Sequence, residues 1–259
     1  MVAARWRDLL NELDRWAEAE RIATLWWRDD DAAAPSLHLD RLAAIAEEIP
    51  VALAVIPAEA EPDLTIWLAQ SRPSLVVLQH GWRHSDYSGS LRKSEFPANR
   101  TVDEVRFDLS AGRERLVRLF GCRALPVLVP PWNRFDDAFL PLLRSCGICA
   151  ISRIKPRRAL LPYRNVIEVN VHVDLVAWVS GRGFIGEAMA LDGILGHFRA
   201  RRLGMVCRDE PTGILTHHLI QDEATGAFLQ RLIAVTRAHQ AARWLDSTEV
   251  FAATRLDQA

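Results

Sequence analysis

The stretch IATLWWRDDD, residues 22–31, is a short apolar run that ends abruptly in charge. The run Ile22–Trp27 is typical of a buried β-strand, and three aspartates follow almost at once. Aspartate is a common turn former, but three adjacent carboxylates repel one another unless a cation neutralises them. The stretch therefore predicts a strand that delivers acidic side chains to one end of a sheet.

The same order of apolar strand, polar residues and helix repeats along the chain. Further strands are predicted at Val51–Ile56, Leu75–Gln79, Leu125–Val129, Ile148–Ser152, Asn165–Val173 and Gly213–Thr216. Such alternation indicates an α/β fold whose parallel strands close into a barrel or wind into an open sheet. No linker, internal repeat or low-complexity run interrupts it. We therefore expect one domain over residues 1–259, with an N-terminal helix in residues 1–20.

Unusual polar residues follow five of these predicted strands. They are Asp29 and Asp30, His80 and His84, Pro131 and Trp132, Asp174, and His217. In a β/α barrel the carboxyl ends of all strands meet on one face, and that face carries the active site. This convergence predicts one shared functional site.

His80 and His84 stand four residues apart, so a helical turn would point both imidazoles the same way. Two histidines and one carboxylate form an open metal site that leaves positions for water and substrate. Alone, the pair is weak support for a metal site, because histidines at this spacing are often structural. Beside the aspartates, it predicts a divalent metal site. Hydrolysis there needs one carboxylate for the metal and another to accept a proton.

Four short motifs resemble those of the polysaccharide deacetylases, the NodB-type carbohydrate esterase family 4. The family's T-F-D-D-G resembles Trp27–Asp31, and its H-[ST]-x-x-H resembles His80–His84. Its R-P-P-Y-G resembles Val129–Asn133, and its L-x-H resembles Leu215–His217. Each motif is weak alone, but all four occur in the family's order within residues 22–220.

The resemblance implies a single domain with a distorted (β/α)7-type barrel and a metal-dependent deacetylase activity. It implies roles for the matched residues: Asp29 as catalytic base; Asp30, His80 and His84 as ligands of one divalent metal, with zinc the first choice; His217 as general acid; Asp174 as its orienting partner. The backbone N–H of Trp132 would help to hold the oxyanion, next to Pro131, which has no N–H. We expect the substrate to be a small N-acylated molecule, a saccharide in the first instance. Trp82 lies in a predicted site loop, so it could stack on a sugar ring or pack at the rim of the barrel.

The chain departs from the family's motifs at several positions. Val129 stands where the third motif has an arginine, which steadies the base, and Arg28 or Arg134 could substitute for it. Arg28 is also a candidate for substrate binding. The fourth motif is reduced to the segment His172–Trp178, and His218 replaces an aspartate after His217. These departures leave the substrate open.

Two other functions remain open at this stage. The scaffold could be an inactive protein that binds a carbohydrate or metabolite, or a hydrolase of a different non-peptide C–N bond. The formal net charge is −1, which gives no support for nucleic-acid binding. No apolar run of 18 residues predicts a membrane span, and the N-terminus does not resemble a signal peptide, so we expect a cytoplasmic protein. The sequence leaves the oligomeric state undetermined.

Overall fold

The strand predicted from residues 22–27 is longer in the structure and includes the acidic run. In this computed structural model, which describes residues 2–47, 49–71, 75–89, 92–179 and 181–252, β1 spans Ala23–Ala32. The backbone hydrogen bonds of Asp29 fall within the ladders to both neighbouring strands. The acidic residues are therefore part of the sheet rather than of a loop after it.

The described residues form helices and strands in nearly strict alternation. The helices are α1 (Val2–Glu18), α2 (Leu37–Ala46), α3 (Asp63–Gln70), α4 (Val102–Phe120), α5 (Leu140–Ser145), α6 (Glu187–Leu203), α7 (Glu223–Arg237) and α8 (Ser247–Val250). The strands after β1 are β2 (Val51–Val55), β3 (Leu75–His80), β4 (Ala124–Val129), β5 (Ala150–Ile151), β6 (Ile167–Glu168), β7 (Val173–Asp174), β8 (Thr212–Thr216) and β9 (Ala242–Trp244).

Local sequence explains where two of the longest helices begin. Thr101 accepts a hydrogen bond from the Glu104 N–H, and Glu104 accepts one from the Thr101 N–H, which completes the capping box predicted at the start of α4. Asp222 caps α7 by accepting from the N–H of Thr225. These caps satisfy N–H groups that the first turn of a helix leaves free.

The strands form one parallel sheet that curls into a distorted barrel, as the resemblance implied. The order is β6-β5-β4-β3-β2-β1-β8-β7, and β9 pairs with the beginning of β1. Residues 167–174 bring the two sides together, because β6 pairs with β5 while β7 pairs with β8. The fold is thus a single α/β domain in which β1 is an interior strand between β2 and β8.

Side chains alternate between the two faces of the sheet. The outward face of β1, including Leu25 and Trp27, packs against the helices in the largest apolar cluster. The inward face carries Trp26 beside the small residues Ala52 and Ala54. The barrel interior is therefore filled by side chains at its lower part, and polar groups occupy the ends of the strands. None of the helices in the described residues is both long and apolar enough to cross a bilayer.

Candidate active site

Asp31, His80 and His84 come together at the carboxyl end of the sheet. Asp31 Oδ1 lies 3.1 Å from His80 Nε2 and 3.4 Å from His84 Nε2. His80 is buried, whereas the side chains of Asp31 and His84 are each about a quarter exposed. The structure thus pairs the two histidines with Asp31 instead of Asp30, and one side of the group stays open to solvent.

A β-bulge explains why the carboxylate is Asp31. Asp29 is in register with Leu53 of β2, but Ala32 is in register with Val55, so β1 has one extra residue here. Asp31 takes the left-handed conformation, with φ +70°. Bulges of this kind re-aim side chains beside functional sites. Simple alternation would point Asp31 outward with Asp29, and the bulge turns it toward the histidines.

The two imidazoles converge without the helical turn that their spacing suggested. Residues 81–84 form bends, Gly81 has φ +59° and His84 has φ +55°, yet the two ring centroids lie 5.1 Å apart. Buried Glu95 holds this loop by accepting hydrogen bonds from the N–H groups of Trp82 and Arg83. Burial raises the pKa of Glu95, although these two N–H groups lower it. The loop after β3 thus bends through two residues with positive φ, and the buried carboxylate of Glu95 holds it in that shape.

The hydrogen bonds of His80 show which ring nitrogen carries the hydrogen in the neutral imidazole. Its Nδ1 lies 3.0 Å from the carbonyl oxygen of Val129, which can only accept, so Nδ1 carries a hydrogen. In the neutral imidazole Nε2 is then a lone-pair donor, and it faces a carboxylate. Such a convergence of acceptors fits a cation. A carbonyl behind the ligand nitrogen is also the usual second partner of a metal-binding histidine.

The charges of the group shift the pKa values of its members in opposite directions. Burial alone would raise the pKa of Asp31, but the adjacent histidines hold it well below its ordinary range. Burial lowers the pKa of His80, and the carboxylates of Asp30 and Asp31 more than compensate, so the net direction is upward. The pKa of His84 is lowered, first by burial and then by the charge of His80. The carboxylate is thus ionised at neutral pH.

Asp30 lies beside this group but is held by Arg28. The Nε and one Nη of Arg28 donate to the two oxygens of Asp30 at 2.8 and 3.0 Å. Arg28 also donates to Ser152 and to the side-chain oxygen of Asn133, and it is completely buried. Asp30 is therefore not arranged as the predicted metal ligand. Arg28 cannot contact substrate as predicted, because its donors are used within the protein.

Asp29 points away from the histidine pair, to the outward face of β1. It is fully buried; its Oδ2 accepts from the Thr216 hydroxyl at 2.6 Å, and its Oδ1 lies 2.5 Å from Nδ1 of His218. The predicted role of catalytic base does not fit this position, because both oxygens are engaged behind the sheet. The match to the family's first motif is therefore displaced by one residue. Asp30 and Asp31, rather than Asp29 and Asp30, are the two aspartates on the histidine side of the sheet.

His217 and Asp174 approach the group from β8 and β7. Nδ1 of His217 lies 3.9 Å from an Asp174 oxygen, which is too long for the predicted hydrogen bond although it is within ion-pair distance. Asp174 accepts from the Trp178 indole N–H at 2.7 Å, and the ring of Trp178 contacts His217 edge-on. Burial raises the pKa of Asp174, while the charge of His217 opposes that shift. Trp178 thus joins the two residues physically.

Trp132 lies against His84, with the ring centroids 4.4 Å apart. Its φ is +54°, and among the described residues its backbone N–H has no hydrogen-bond partner, as the oxyanion prediction requires. Pro131 is buried beside it. Trp82 is placed differently from its predicted role: it lines a separate cavity of about 550 Å³ with Glu59, Arg83 and Arg115.

A second group of two histidines and one carboxylate lies at the amino ends of the strands. His172, His197 and Glu210 have possible ligand atoms within 4.8 Å of one another. The rings of His172 and His197 are stacked, with centroids 3.5 Å apart and planes 20° apart. The N–H of Gly213 donates to Nδ1 of His172, so the hydrogen of the neutral ring is on Nε2. Parallel rings and a protonated Nε2 do not fit a shared metal.

Sequence reasoning missed the position of Asp31 beside the two histidines and the Arg28–Asp30 pair. Three identical residues in a row leave the motif register ambiguous by one position. The signal that could have resolved it is Arg28, because i and i+2 residues of a strand share a face and an arginine two residues before Asp30 can pair with it. The network of Asp29, Thr216 and His218 carried no comparable signal.

Comparison with solved structures shows the same fold in several polysaccharide deacetylases. A Mycobacterium smegmatis protein described as a polysaccharide deacetylase is 16% identical, with a TM-score of 0.62 over 92% of each chain. The Bc1960 peptidoglycan N-acetylglucosamine deacetylase is 16% identical, with a TM-score of 0.56 over 92% of this chain and 95% of that one.

A pseudoenzyme of carbohydrate esterase family 4 also shares the fold. It is 13% identical, with a TM-score of 0.54 over 88% of this chain and 67% of the other. No protein-family model matches the sequence, and no curated protein matches it significantly. At these identities the likeness establishes the fold, and the fold is that of the family whose motifs the sequence resembles.

Proposed function

We propose that the protein is a metal-dependent deacetylase that removes an acetyl group from an N-acetylated saccharide. The observation that carries the proposal is the convergence of Asp31, His80 and His84 beside an aspartate held by a buried arginine. Asp31, His80 and His84 would hold the metal, for which zinc is the first choice given two imidazoles and one carboxylate. When bound, the metal would polarise the acyl oxygen and lower the pKa of a water molecule.

Asp30 would accept the proton of the attacking water. Its oxygens each keep a free lone pair although both accept from Arg28. The bidentate guanidinium fixes the orientation of the carboxylate plane. Arg28 would thus supply from β1 the support that the family's third motif supplies from the position of Val129.

His217 would donate a proton to the departing nitrogen. An amine leaves poorly unless it is protonated, so an amide hydrolase needs an acid as well as a base. His217 approaches the group from β8, and its Nδ1 has no hydrogen-bond partner among the described residues. The free N–H of Trp132 would stabilise the oxyanion.

A saccharide suits the walls of this site. Trp132 lies beside His84, and Trp178 lies beside His217 with about half of its surface exposed. Flat aromatic faces on both sides of a hydrolytic centre can pack against the apolar face of a sugar ring.

An inactive binding protein on the same scaffold is the competing proposal. Val129 in place of the third-motif arginine favours it, and a family pseudoenzyme shares the fold. The completeness of the remaining groups argues against it: a base held by Arg28, three metal-binding side chains and an acid are all present in one place.

The test is metal analysis of the purified protein followed by acetate release from N-acetylglucosamine oligomers and peptidoglycan fragments. We expect about one metal ion per chain and acetate release. Asp30→Asn should keep the metal and lower turnover by about 10²–10⁴-fold. Asp29→Asn is the neighbouring control and should lower stability while keeping the metal. Absence of acetate from the metal-loaded protein on every substrate would support the inactive scaffold, and undiminished turnover by Asp30→Asn would refute the base assignment.

A further inference from the structure

A cavity of about 400 Å³ opens on the outer face of the barrel, between α2 and the beginning of α7. Its lining includes one apolar side chain, Ile45, and five polar ones: His38, Arg41, His218, Gln221 and Glu223. The strands β1 and β8 lie between this cavity and the candidate metal centre. His217 faces the metal centre, and His218, the next residue, faces the cavity.

His218 is fixed at the inner wall of the cavity by Asp29. Its Nδ1 lies 2.5 Å from Asp29 Oδ1, and because an ionised carboxylate only accepts, Nδ1 carries a hydrogen. Asp29 is fully buried and Thr216 donates to its other oxygen, so the imidazole is held firmly. His218 is itself 98% buried, as only 2% of its surface is exposed. Its Nε2 has no partner within the described part of the chain and borders the cavity.

Other polar groups around the cavity also have no partner among the residues that the structure describes. The side-chain Oε1 of Gln221 is buried without a hydrogen bond. Arg41, on α2, makes no ion pair in the described ranges. Asp222, by contrast, is occupied, since its oxygens accept from Thr225 and from the N–H of Phe184. The exposed side chains of His38 and Glu223 also line the cavity. The groups that a ligand can reach therefore include a guanidinium, an imidazole nitrogen and an amide oxygen, with one carboxylate at the edge.

We propose that this cavity binds a small polyhydroxylated acid, with its anionic group on Arg41 and its hydroxyl groups on His218 and Gln221. A guanidinium is the side chain best matched to a carboxylate or phosphate, and imidazole and amide groups bind hydroxyls. The volume is within the range of small-molecule sites. The described lining holds no serine, threonine or cysteine, and the proposed role of the cavity is binding alone.

The test is calorimetric titration of the full-length protein with glucuronate, glucose 6-phosphate, inorganic phosphate and glucose. We expect either glucuronate or glucose 6-phosphate to bind more tightly than both inorganic phosphate and glucose. Which of these two binds shows whether the site prefers a carboxylate or a phosphate. Arg41→Ala should weaken that binding at least about tenfold, since it removes the charged partner. Arg118→Ala, an exposed arginine of α4, is the matched control and should leave it unchanged. Asp31→Asn should also leave it unchanged, which separates this site from the metal centre.

A second variant tests the hydroxyl contacts without disturbing the buried Asp29. Gln221→Ala should weaken the sugar acid several-fold and leave inorganic phosphate unaffected. The inference is overturned if neither sugar acid binds, if glucose binds as tightly as the acids, or if Arg41→Ala binds like the wild type. Because binding is measured without turnover, this result is independent of whether the protein is a deacetylase.

Discussion

At the carboxyl ends of the strands Asp31 lies between His80 and His84, and at the amino ends Glu210 lies beside His172 and His197. In the first group the His80 and His84 rings are tilted by 51° with their centroids 5.1 Å apart. In the second group the rings are stacked 3.5 Å apart and nearly parallel. The two ends contain the same residue types in different orientations.

The difference shows that the same residue types are oriented to suit a metal ion at one end of the strands and not at the other. At the carboxyl end a carbonyl behind His80 directs a lone pair toward Asp31. At the amino end the backbone N–H of Gly213 takes the lone pair of His172, and the carboxylate of Glu210 is already bonded to backbone N–H groups of Arg157 and Asn170. We therefore expect metal at one end and two neutral, structural histidines at the other.

The largest effect should come from Asp31→Asn, which breaks the carboxyl-end group. We expect bound metal to fall to near zero and acetate release to fall by on the order of 10³-fold, because several kcal/mol of transition-state stabilisation is lost. The counterpart His197→Gln should keep the full metal content. Metal analysis and acetate assays of both variants show which of the two groups binds the metal. Loss of metal from His197→Gln alone would place the metal at the amino-end group instead.

The next effect is that of His217→Gln, which removes the proposed acid without removing a ligand. Metal content should be unchanged, and turnover of an N-acetyl substrate should fall by about 10²–10⁴-fold. An acetyl ester of a good leaving group needs no acid, so its turnover should fall far less. Equal losses on the amide and the ester would assign His217 to binding instead. The control is His239→Gln, since His239 is partnered by Asp14 and not by a residue of the site.

A smaller effect should follow from Gly81→Ala in the loop that carries His84. A Cβ at Gly81 would lie 1.8 Å from a Glu95 oxygen, and φ there is +59°. We expect the displaced loop to weaken metal affinity about 10–100-fold, as changes around metal ligands do. Gly89→Ala is a matched control because Gly89 has φ +60° and open space around it. If both variants lost metal equally, backbone strain rather than the Glu95 contact would be responsible.

The smallest effect concerns the amino-end pair in acid. Burial, the charge of His172 and that of Arg201 lower the pKa of His197 to about 2. The unfolded chain therefore binds more protons below about pH 6.5, so stability falls as pH falls. Between pH 7.5 and 5 this amounts to about 2 kcal/mol for His197. Urea unfolding at pH 7.5 and pH 5 measures this loss. Between the two pH values, the unfolding free energy of His197→Phe should fall by about 2 kcal/mol less than that of the wild type. The control His239→Gln should behave like the wild type.

The parallel α/β arrangement was predictable because apolar strands that alternate with amphipathic helices leave few alternatives. The strand predicted over Asn165–Val173 forms two short strands instead: β6 pairs with β5 and β7 pairs with β8, and no local pattern records which neighbour a strand chooses. The short strands β5 and β6 also end earlier than their apolar runs suggested.

The site was predictable in its location and partly in its members. His80, His84, Trp132 and His217 meet at the strand ends because parallel strands place them there. The position of the aspartates was not predictable: Asp31, rather than Asp30, lies beside the two histidines, because alternation holds only where a strand is regular and the bulge at Asp31 breaks it. A bulge depends on the pairing of β1 with β2, which lies outside the ten-residue stretch itself.

The interior position of β1 also has a consequence for biosynthesis. The partners β8 and β9 come from residues 212–216 and 242–244, so they are synthesised long after β1. Until residues 212–216 are made, the edge of β1 that pairs with β8 stays unpaired, and pairing across such a sequence separation is slow. The nascent barrel therefore remains open along this edge until β8 has been made, and that exposed edge is where aggregation of unfinished chains should begin.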